Sequence, residues 1–326
     1  MRLFPVLFIV AVSLAEAAVL TEDFSSDPSA RGWERFGEAG LFEWNTASQD
    51  LRVTWDSTKP NSYFRVPLAT MLNRRDDFSI SFDLSLEDVA AGIAPGKPST
   101  FPLAIGFQNN AQASQPEFRR GTGARSPNLV EFNFFPDTGF GPTLWPAIWS
   151  TNSSLSYRGA IDYTILDLPL GVTMRVSMSY TANDFTLTTT ITTNGVPIKT
   201  VNAVTLSTAF TDFRVDAFSV SSYSDSSQDT RFGGSLLAHG FVDNITLTLP
   251  PPPVSNLRGR FADQQWEVEF SARDGWVYVL EATEDFHGWR EVSMSVNGSN
   301  GEIVLRETDA ASAPLRYYRV KARPVP

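Results

Sequence analysis

The stretch LVEFNFFPD, residues 129–137, carries acidic and amide side chains at a spacing that could do chemistry. Side chains alternate between the faces of a strand, so Glu131 and Asn133 share one face while the valine and two phenylalanines occupy the other. Asp137 follows at the end of the stretch. Oxygen atoms of these types can bind sugar hydroxyls, hold a hard cation or transfer a proton. Glu131, Asn133 and Asp137 are therefore candidate ligand-binding residues.

Catalysis by Glu131 needs a partner that this strand does not supply. Hydrolysis of a glycosidic bond uses two carboxyl groups, about 5 to 9 Å apart. The next positions on the same face are Asn133 and Phe135, and neither is an acid. The acids elsewhere that could provide a second carboxyl group are Glu117, Asp162 and Asp167. The local pattern favours a binding role, and catalysis stays open as the alternative.

An aromatic loop follows in residues 139–157, GFGPTLWPAIWSTNSSLSY. An aromatic ring offers a flat apolar surface, and rings beside hydroxyl and amide groups suit stacking on a sugar. The candidate stacking residues are Phe140, Trp145, Trp149 and Tyr157. The alternative is that Trp145 and Trp149 fill the core of the sandwich or pin the loop.

The two ends of the region 20–249 suggest a calcium site. In many β-sandwiches the first and last strands pair, which would bring Glu22 and Asp23 close to Asp243. Carboxylate oxygens are ligands that calcium prefers. Structural calcium is therefore the expected cofactor, and exposed acids at strand ends are the alternative.

Residues 118–126, FRRGTGARS, form a basic stretch in an acidic chain. Arginine pairs with carboxylate or sulfate groups through two parallel hydrogen bonds. Arg119, Arg120 and Arg125 could therefore clamp an acidic polysaccharide, and a solvated loop is the alternative.

The elements that would position these residues are predicted to be strands nearly throughout. DFSISFDLSL (77–86) and TMRVSMSYT (173–181) alternate apolar and polar residues, and Asn194-Gly195 favours a two-residue hairpin turn. Many short strands separated by Gly, Pro, Asn and Asp indicate an all-β sandwich. A short helical turn is expected at 66–74.

Composition restricts the classes of function. The chain has 326 residues, no cysteine and a formal net charge of −10. Binding a phosphate backbone needs a basic surface, so we expect no nucleic-acid partner, whereas a neutral polysaccharide tolerates an acidic protein. Without disulfides, the folded chain must depend on its hydrophobic core.

The chain is predicted to divide into four segments. Residues 1–17 contain an early positive charge, an apolar run and a small-residue cleavage site, so we expect a signal peptide and bacterial export to the medium or the cell surface. Residues 18–249 form the large β domain, and no later segment is apolar enough to span a membrane. Four prolines make 250–254 a stiff linker before a small β module at 255–326.

The large domain resembles the concanavalin A-like lectin and glucanase superfamily, which includes legume-lectin and laminin-G-like jelly rolls. The stretches that carry the resemblance are DFSISFDLSL, LVEFNFFPD, RVSMSYTANDFTLTTTITTNG, FRVDAFSVSS and FVDNITLT, in this order. The resemblance implies a jelly roll of two antiparallel sheets.

The stretch VEFNFFPD is similar to the metal-loop strand of legume lectins, Val-Glu-Phe-Asp-x-Phe-x-Asn. This similarity implies roles in or near a metal site for Glu131, Asn133 and Asp137, with Phe135 offering its carbonyl group. Asn stands at 133 where the lectins have Asp, which leaves a two-metal site of that type incomplete. The laminarinase-type hydrolases carry Glu-x-Asp-x-x-Glu on this strand, and only Glu131 matches.

The segment GWVYVLEATEDFHGW, followed by RYYRV, resembles a small β module at the C-termini of exported proteins of the Verrucomicrobia and Planctomycetes. The resemblance implies no particular activity.

Three functions are compatible with these residues. We expect non-catalytic, lectin-like binding of extracellular or cell-surface glycans. A glycoside hydrolase or polysaccharide lyase of the same fold is the second function, which Glu131, an Arg and a Tyr lining an open groove would favour. A structural or adhesive surface protein is the third, which a closed concave face with Trp145 and Trp149 buried would favour.

Overall fold

The computed structural model describes residues 17–98, 100–120, 126–153, 163–226, 234–262, 265–307 and 316–325. These residues pack as two compact units, one spanning Val19–Leu249 and the other built from the described part of 250–326. The signal peptide expected at 1–17 lies outside the described residues, apart from its last position.

Two antiparallel sheets make up the large unit. The strands of sheet A are β1 (Ala18–Glu22), β3 (Phe42–Asn45), β4 (Asp50–Asp56), β6 (Phe78–Ala91), β12 (Met174–Thr181), β13 (Thr186–Thr193), β14 (Val196–Pro197), β15 (Val204–Thr205) and β17 (Leu236–Leu249). The strands of sheet B are β2 (Glu34–Phe36), β5 (Ser62–Leu72), β7 (Leu103–Gln108), β8 (Leu129–Phe135), β9 (Thr143–Leu144), β10 (Ala147–Trp149), β11 (Thr164–Ile165) and β16 (Val215–Ser222).

Strand order shows that neighbours in the sheets are distant in the chain. Sheet A runs β14-β13-β12-β6-β17-β4-β3, with β1 beside β17 and β15 beside β13. Sheet B runs β11-β9-β8-β7-β16-β5-β2, with β10 beside β8. The pairing of β1 with β17 confirms the expectation that the first and last strands of this unit meet.

The two sheets stack through their apolar faces. Phe78 of β6 meets Phe107 of β7 with ring centroids 5.4 Å apart, and Phe82 meets Phe132 of β8 at 5.8 Å, both nearly edge to face. Burying each such side chain stabilises the fold by about 1.5–3 kcal/mol. The predicted all-β sandwich of two antiparallel sheets is confirmed.

The hairpin turn predicted at Asn194-Gly195 is confirmed. Asn194 and Gly195 both adopt positive φ, and Thr193 pairs with Val196 across the two-residue turn.

The helical turn expected at 66–74 is instead the second half of β5. Pro67 is accommodated there because the register of β5 shifts beside it, which removes the need for its missing N–H.

Helical structure is minor in the described residues. It comprises α1 (Asn110–Ala113) and two 3₁₀ turns at Pro28–Arg31 and Ala39–Leu41. No helix in the described ranges is long and apolar enough to cross a bilayer.

The central strands of sheet B are buried on both faces. All six residues of β7 are buried, as are six of the seven residues of β8. One face of sheet B packs on sheet A, so another layer must cover its opposite face, which we call the outer face. Within the described part of the chain, residues 109–120 contribute to that layer, and we call them the covering segment.

The second unit contains two small sheets. The strands of one are β18 (Val254–Ala262), β19 (Gln265–Ala272) and β23 (Glu302–Glu307), and those of the other are β20 (Trp276–Thr283), β21 (Arg290–Glu291), β22 (Val296–Asn297) and β24 (Tyr317–Pro324). Phe270 and Tyr278 pack in its core, 5.1 Å between ring centroids. The Tyr278 hydroxyl donates to the Pro253 carbonyl oxygen at 2.6 Å, which attaches the end of the proline run to this unit.

Candidate functional site

Glu131 lies on the outer face of sheet B and is almost completely buried. Its Oε2 accepts a hydrogen bond from Arg120 Nε at 3.1 Å, and its Oε1 accepts one from the Tyr223 hydroxyl. Burial, and then the charge of Glu131, raise the pKa of Tyr223 well above its ordinary value. The phenol therefore keeps its proton and remains a donor to the carboxylate.

The covering segment is attached to this face at several points. The Tyr63 hydroxyl donates to the Ala113 carbonyl oxygen at 3.2 Å, and Arg65 Nη1 donates to the Ser114 hydroxyl at 2.8 Å. Strand pairing places Tyr63 in the same cross-strand row as Asn133, and Arg65 in the same row as Glu131. The cover therefore extends from β5 to β8.

Further along the covering segment, aromatic contacts complete the closure. The ring of Phe118 lies 6.2 Å from that of Tyr223, and the Phe118 carbonyl oxygen accepts from Asn61 Nδ2 at 3.1 Å. The Arg120 guanidinium lies over the ring of Trp149, 5.3 Å from its centroid. The Glu, Arg and Tyr combination considered for an enzyme is present, but all three side chains are buried, and they line no open groove among the described residues.

Arg120 and Tyr223 are neighbours of Glu131 that the sequence did not connect with it. Arg120 was expected to bind an external anion or solvent, and it pairs with an internal one. The signal for Tyr223 lies in residues 217–223, AFSVSSY, where Ser219, Ser221 and Tyr223 alternate with core residues. Serines opposite a core face are equally typical of a solvent-facing strand, so this pattern alone does not predict the cover.

The other aromatic and amide candidates divide into buried and accessible residues. Asn133 and Trp149 are buried, and Trp145 is half-buried with its ring 6.1 Å from that of Phe135. The alternative that Trp149 fills a packing position agrees with its 8% exposure. Tyr157, Asp162 and Arg125 lie outside the described residues.

Phe140 is the most exposed of these candidates, at 82%. It lies at the tip of residues 136–142, between Gly139 and Gly141, whose φ angles of 81° and 104° suit glycine. The loop is braced beneath the ring, because Asp137 Oδ1 accepts from Gly139 N at 2.8 Å. The Thr138 hydroxyl also donates to the Gly141 carbonyl oxygen at 2.9 Å.

Of the three residues proposed for calcium, Glu22 is already paired with a cation of the protein. Both carboxylate oxygens of Glu22 bond to Arg31, and Oε1 also accepts from Phe24 N at 2.8 Å. A carboxylate neutralised by a guanidinium does not fit the role of a calcium ligand. In the described ranges, no group of three or more His, Cys, Asp or Glu residues is arranged to hold a metal ion.

Asp23 and Asp243 have different surroundings. Hydrogen bonds from Ser25 lower the pKa of Asp23. Desolvation raises the pKa of Asp243 to about 6, helped by the carboxylates of Asp83, Asp50 and Asp23 and opposed by the backbone N–H of Asn244. The legume-type metal role of Glu131 meets the same difficulty as that of Glu22, because both oxygens of Glu131 already bond to Arg120 and Tyr223.

Comparison with known proteins places the chain in no family. No family model matches it, and neither does any curated protein. Solved structures similar to it include a peanut lectin with a nonamer peptide (18% identity, 72% of this chain and 99% of that chain, TM-score 0.46). Others are lectin I from Ulex europaeus with the methyl glycoside of α-L-fucose (15%, 72% and 98%, 0.43) and a protein of unknown function with a galectin-like fold from Bacillus subtilis (10%, 72% and 97%, 0.43). At these identities and TM-scores, the similarities say nothing of what this chain binds.

Proposed function

We propose that the chain binds a neutral glycan outside the cell, without chemical change to it, through the loop at residues 136–142. The observation that carries the proposal is the 82% exposed ring of Phe140 on a braced turn. A turn whose backbone is braced by hydrogen bonds loses little backbone entropy on binding, which favours affinity. An aromatic face beside carboxylate, hydroxyl and backbone groups suits both the apolar side and the hydroxyl rim of a sugar.

The neutral character of the ligand follows from the charge of the protein. With a formal net charge of −10, the chain repels anionic polysaccharides at long range. Two of the three arginines that the sequence suggested for binding an anion already bond to groups of the protein itself. Arg120 is committed to Glu131, and Arg119 Nη1 donates to the Pro116 carbonyl oxygen at 2.5 Å. These contacts favour a ligand without charge.

Export remains part of the proposal, and it depends on residues 1–17. Expression of the full chain in a bacterial host, followed by N-terminal sequencing of the exported form, tests it. A mature chain that begins at Ala18 or Val19 supports export, and a chain that stays inside the cell at full length contradicts it.

A binding screen tests the glycan proposal. Residues 18–326 are incubated with a panel of insoluble neutral polysaccharides, and the bound fraction is measured for the wild type, Phe140→Ala and Val196→Ala. Val196 is an exposed apolar residue of β14 and serves as the matched control. We expect Phe140→Ala to weaken binding roughly 10- to 100-fold, as truncation of an aromatic hot spot does, and Val196→Ala to bind like the wild type.

The same binding screen, run once with calcium and once with a chelator, tests whether glycan binding needs calcium. Because Glu22 is neutralised by Arg31, we expect binding to be the same with calcium and with chelator. Loss of binding in chelator would show that calcium is needed through residues other than Glu22.

A structural surface protein without a small ligand is the second candidate function. The closed outer face of sheet B favours it, because a covered face offers no groove to a polymer. Absence of binding to every polysaccharide, with a wild-type circular dichroism spectrum, would favour this candidate over glycan binding. We propose no hydrolase or lyase activity, since both oxygens of Glu131 are engaged and the segment above them is in place.

A further inference from the structure

The second unit carries a contiguous group of partly exposed aromatic rings, Phe286, Trp289 and Tyr317, which we call the aromatic cluster. Phe286 is 57% exposed, and Tyr317, the first residue of β24, is 37% exposed. Their ring centroids lie 4.0 Å apart, and the Trp289 ring lies 6.3 Å from that of Phe286. Strand pairing explains the contact, because Tyr317 pairs with Thr283 at the end of β20 and the turn that carries Phe286 follows directly. Single exposed apolar residues are ordinary on protein surfaces, whereas a contiguous exposed group indicates an interaction site.

The turn that carries Phe286 is braced by side chains on both sides of it. Thr283 Oγ1 accepts a hydrogen bond from Phe286 N at 3.1 Å, and Asp285 Oδ1 accepts one from His287 N at 2.9 Å. The backbone N–H groups of His287 and Gly288 lower the pKa of Asp285, so its carboxylate stays charged and keeps these bonds at neutral pH. Phe286 itself has a φ of 64°, a left-handed conformation that bulky residues rarely adopt. A ring that is mostly exposed offsets little of that strain by packing, which points to a role outside the core.

Charged side chains around the aromatic cluster are paired within the second unit. The guanidinium carbon of Arg319 lies 4.1 Å from the centroid of the Trp289 ring, and Arg319 Nε donates to Glu281 Oε2 at 2.7 Å. Beside the turn, Glu284 Oε1 lies 3.8 Å from Arg316 Nε. A charged ligand would compete with these pairs, so the surroundings of the cluster favour a ligand without charge.

The position of Phe286 restricts the shape of the ligand. Residues 284–288 are all exposed, so the ring projects from the tip of a turn. Small molecules bind in concave sites, and proline-rich peptides lie in aromatic-lined grooves. A projecting ring instead suits a flat and rigid surface, such as the apolar faces of sugar rings in a polysaccharide. The Tyr317 hydroxyl and the Trp289 indole N–H can hydrogen-bond the hydroxyl groups around such a face.

We propose that the second unit carries a glycan contact of its own, in which Phe286 stacks on the sugar rings of an insoluble neutral polysaccharide, flanked by Trp289 and Tyr317. This contact takes its ligand class from the proposed function and is otherwise independent of the loop at 136–142. Phe140 belongs to the unit Val19–Leu249, and Phe286 belongs to the unit built from 250–326. Removing one ring therefore leaves the other in place.

Replacement of Phe286 by asparagine separates binding from folding. Asparagine tolerates the left-handed conformation better than phenylalanine, so Phe286→Asn should melt at or above the wild-type temperature while it removes the exposed ring. Phe261→Asn is the matched control, because Phe261 is 58% exposed on β18 of the same unit and lies outside the aromatic cluster. A variant that is as stable as the wild type and binds polysaccharide more weakly is the expected signature.

The test uses residues 18–326 with microcrystalline cellulose, chitin and curdlan as insoluble neutral polysaccharides, and with beads coated with denatured albumin. The bound fraction at increasing protein concentration is measured for the wild type, Phe286→Asn, Phe261→Asn and Phe140→Ala, and their melting temperatures are compared. The wild type should bind at least one polysaccharide. Phe286→Asn should weaken that binding by roughly tenfold or more, as the loss of an aromatic hot spot does, and Phe261→Asn should bind like the wild type.

Three results would overturn the glycan contact of the second unit. They are wild-type affinity of Phe286→Asn for every polysaccharide that the wild type binds, equal weakening by Phe261→Asn, and no binding of the wild type to any polysaccharide. If Phe286→Asn loses retention only on the albumin beads, the aromatic cluster serves a protein partner instead, which also overturns it. Phe140→Ala tests the loop at 136–142 separately. Weakening by Phe140→Ala alone leaves the proposed function standing without the second contact, and weakening by Phe286→Asn alone shows that the loop fails while the second contact holds.

Discussion

Arg120 and Glu131 form an ion pair inside the protein, with Nε 3.1 Å from Oε2 and each side chain only 2% exposed. One partner comes from the covering segment and the other from the middle of β8. The pair therefore joins the covering segment to the outer face of sheet B. Because both side chains are buried, neither Glu131 nor Arg120 contacts a ligand at the surface of the protein.

Loss of Arg120 should destabilise the large unit strongly. Arg120→Met leaves the Glu131 carboxylate buried without its cation, which costs about 3–5 kcal/mol in comparable proteins. The free energy of unfolding, measured by urea denaturation, should fall by that order. Arg75→Met, at an exposed arginine, is the control and should change it by less than about 0.5 kcal/mol. Equal small effects would show that the pair does not hold the covering segment.

Alanine substitutions at Trp149 and Phe140 should differ in their effect on the free energy of unfolding. Trp149→Ala removes a buried ring under Arg120 and should cost about 3–5 kcal/mol of unfolding free energy. Phe140→Ala removes an exposed ring and should leave that free energy within about 0.5 kcal/mol of the wild type. Thermal and urea unfolding of both variants check this. A Phe140→Ala protein as unstable as Trp149→Ala would mean that Phe140 is a packing residue.

Gly106 should tolerate no side chain. A Cβ there would lie 2.2 Å from the Val130 carbonyl oxygen and 2.8 Å from Glu131 Cα, so β8 would have to move. Overpacking of this kind costs about 1–3 kcal/mol or more. Gly106→Ala should lower the urea midpoint, whereas Gly40→Ala, whose Cβ would meet no atom closer than 3.8 Å, should not. A wild-type midpoint for Gly106→Ala would contradict the close strand approach.

Asp243 should make stability depend on pH in a specific direction. Its folded-state pKa of about 6 lies above its unfolded value, so the folded protein holds a proton that the unfolded chain has lost between about pH 4 and 6. Stability from this group is present at low pH and is lost as pH rises through 6. Asp243→Asn should remove that fall and raise unfolding free energy at pH 7 by an amount on the order of 1 kcal/mol, reduced by solvent screening. An identical pH profile for Asp243→Asn and the wild type would contradict it.

Local patterns predicted the sandwich because its strands obey short-range rules. Alternation in 77–86 and 173–181 marks β6 and β12, and the Asn194-Gly195 pair marks the hairpin turn between β13 and β14. The prediction of a helical turn at 66–74 is wrong because the apolar residues there belong to a strand. Pairing of that strand with β16 overrides the local propensity.

The closure of the outer face could not be predicted, because it depends on contacts between distant residues. Tyr223 is 92 positions from Glu131, and no spacing rule connects them. Glu22 was assigned to calcium for a similar reason, because its pairing with Arg31 depends on a turn that alternation does not describe.

The outer face of sheet B is closed in the described structure, and cysteine labelling tests this closure most directly. The chain has no native cysteine, so a single one can be introduced by Ser219→Cys on the covered face or by Thr188→Cys on the exposed side of β13. Rates of reaction with a thiol reagent are compared under native conditions and in urea. We expect Ser219→Cys to react at least about 100-fold more slowly than Thr188→Cys in the native protein, because reaction requires local opening, and at the same rate in urea. Equal native rates would show that the face is open to solvent, and Glu131, Arg120 and Tyr223 would then line an accessible groove.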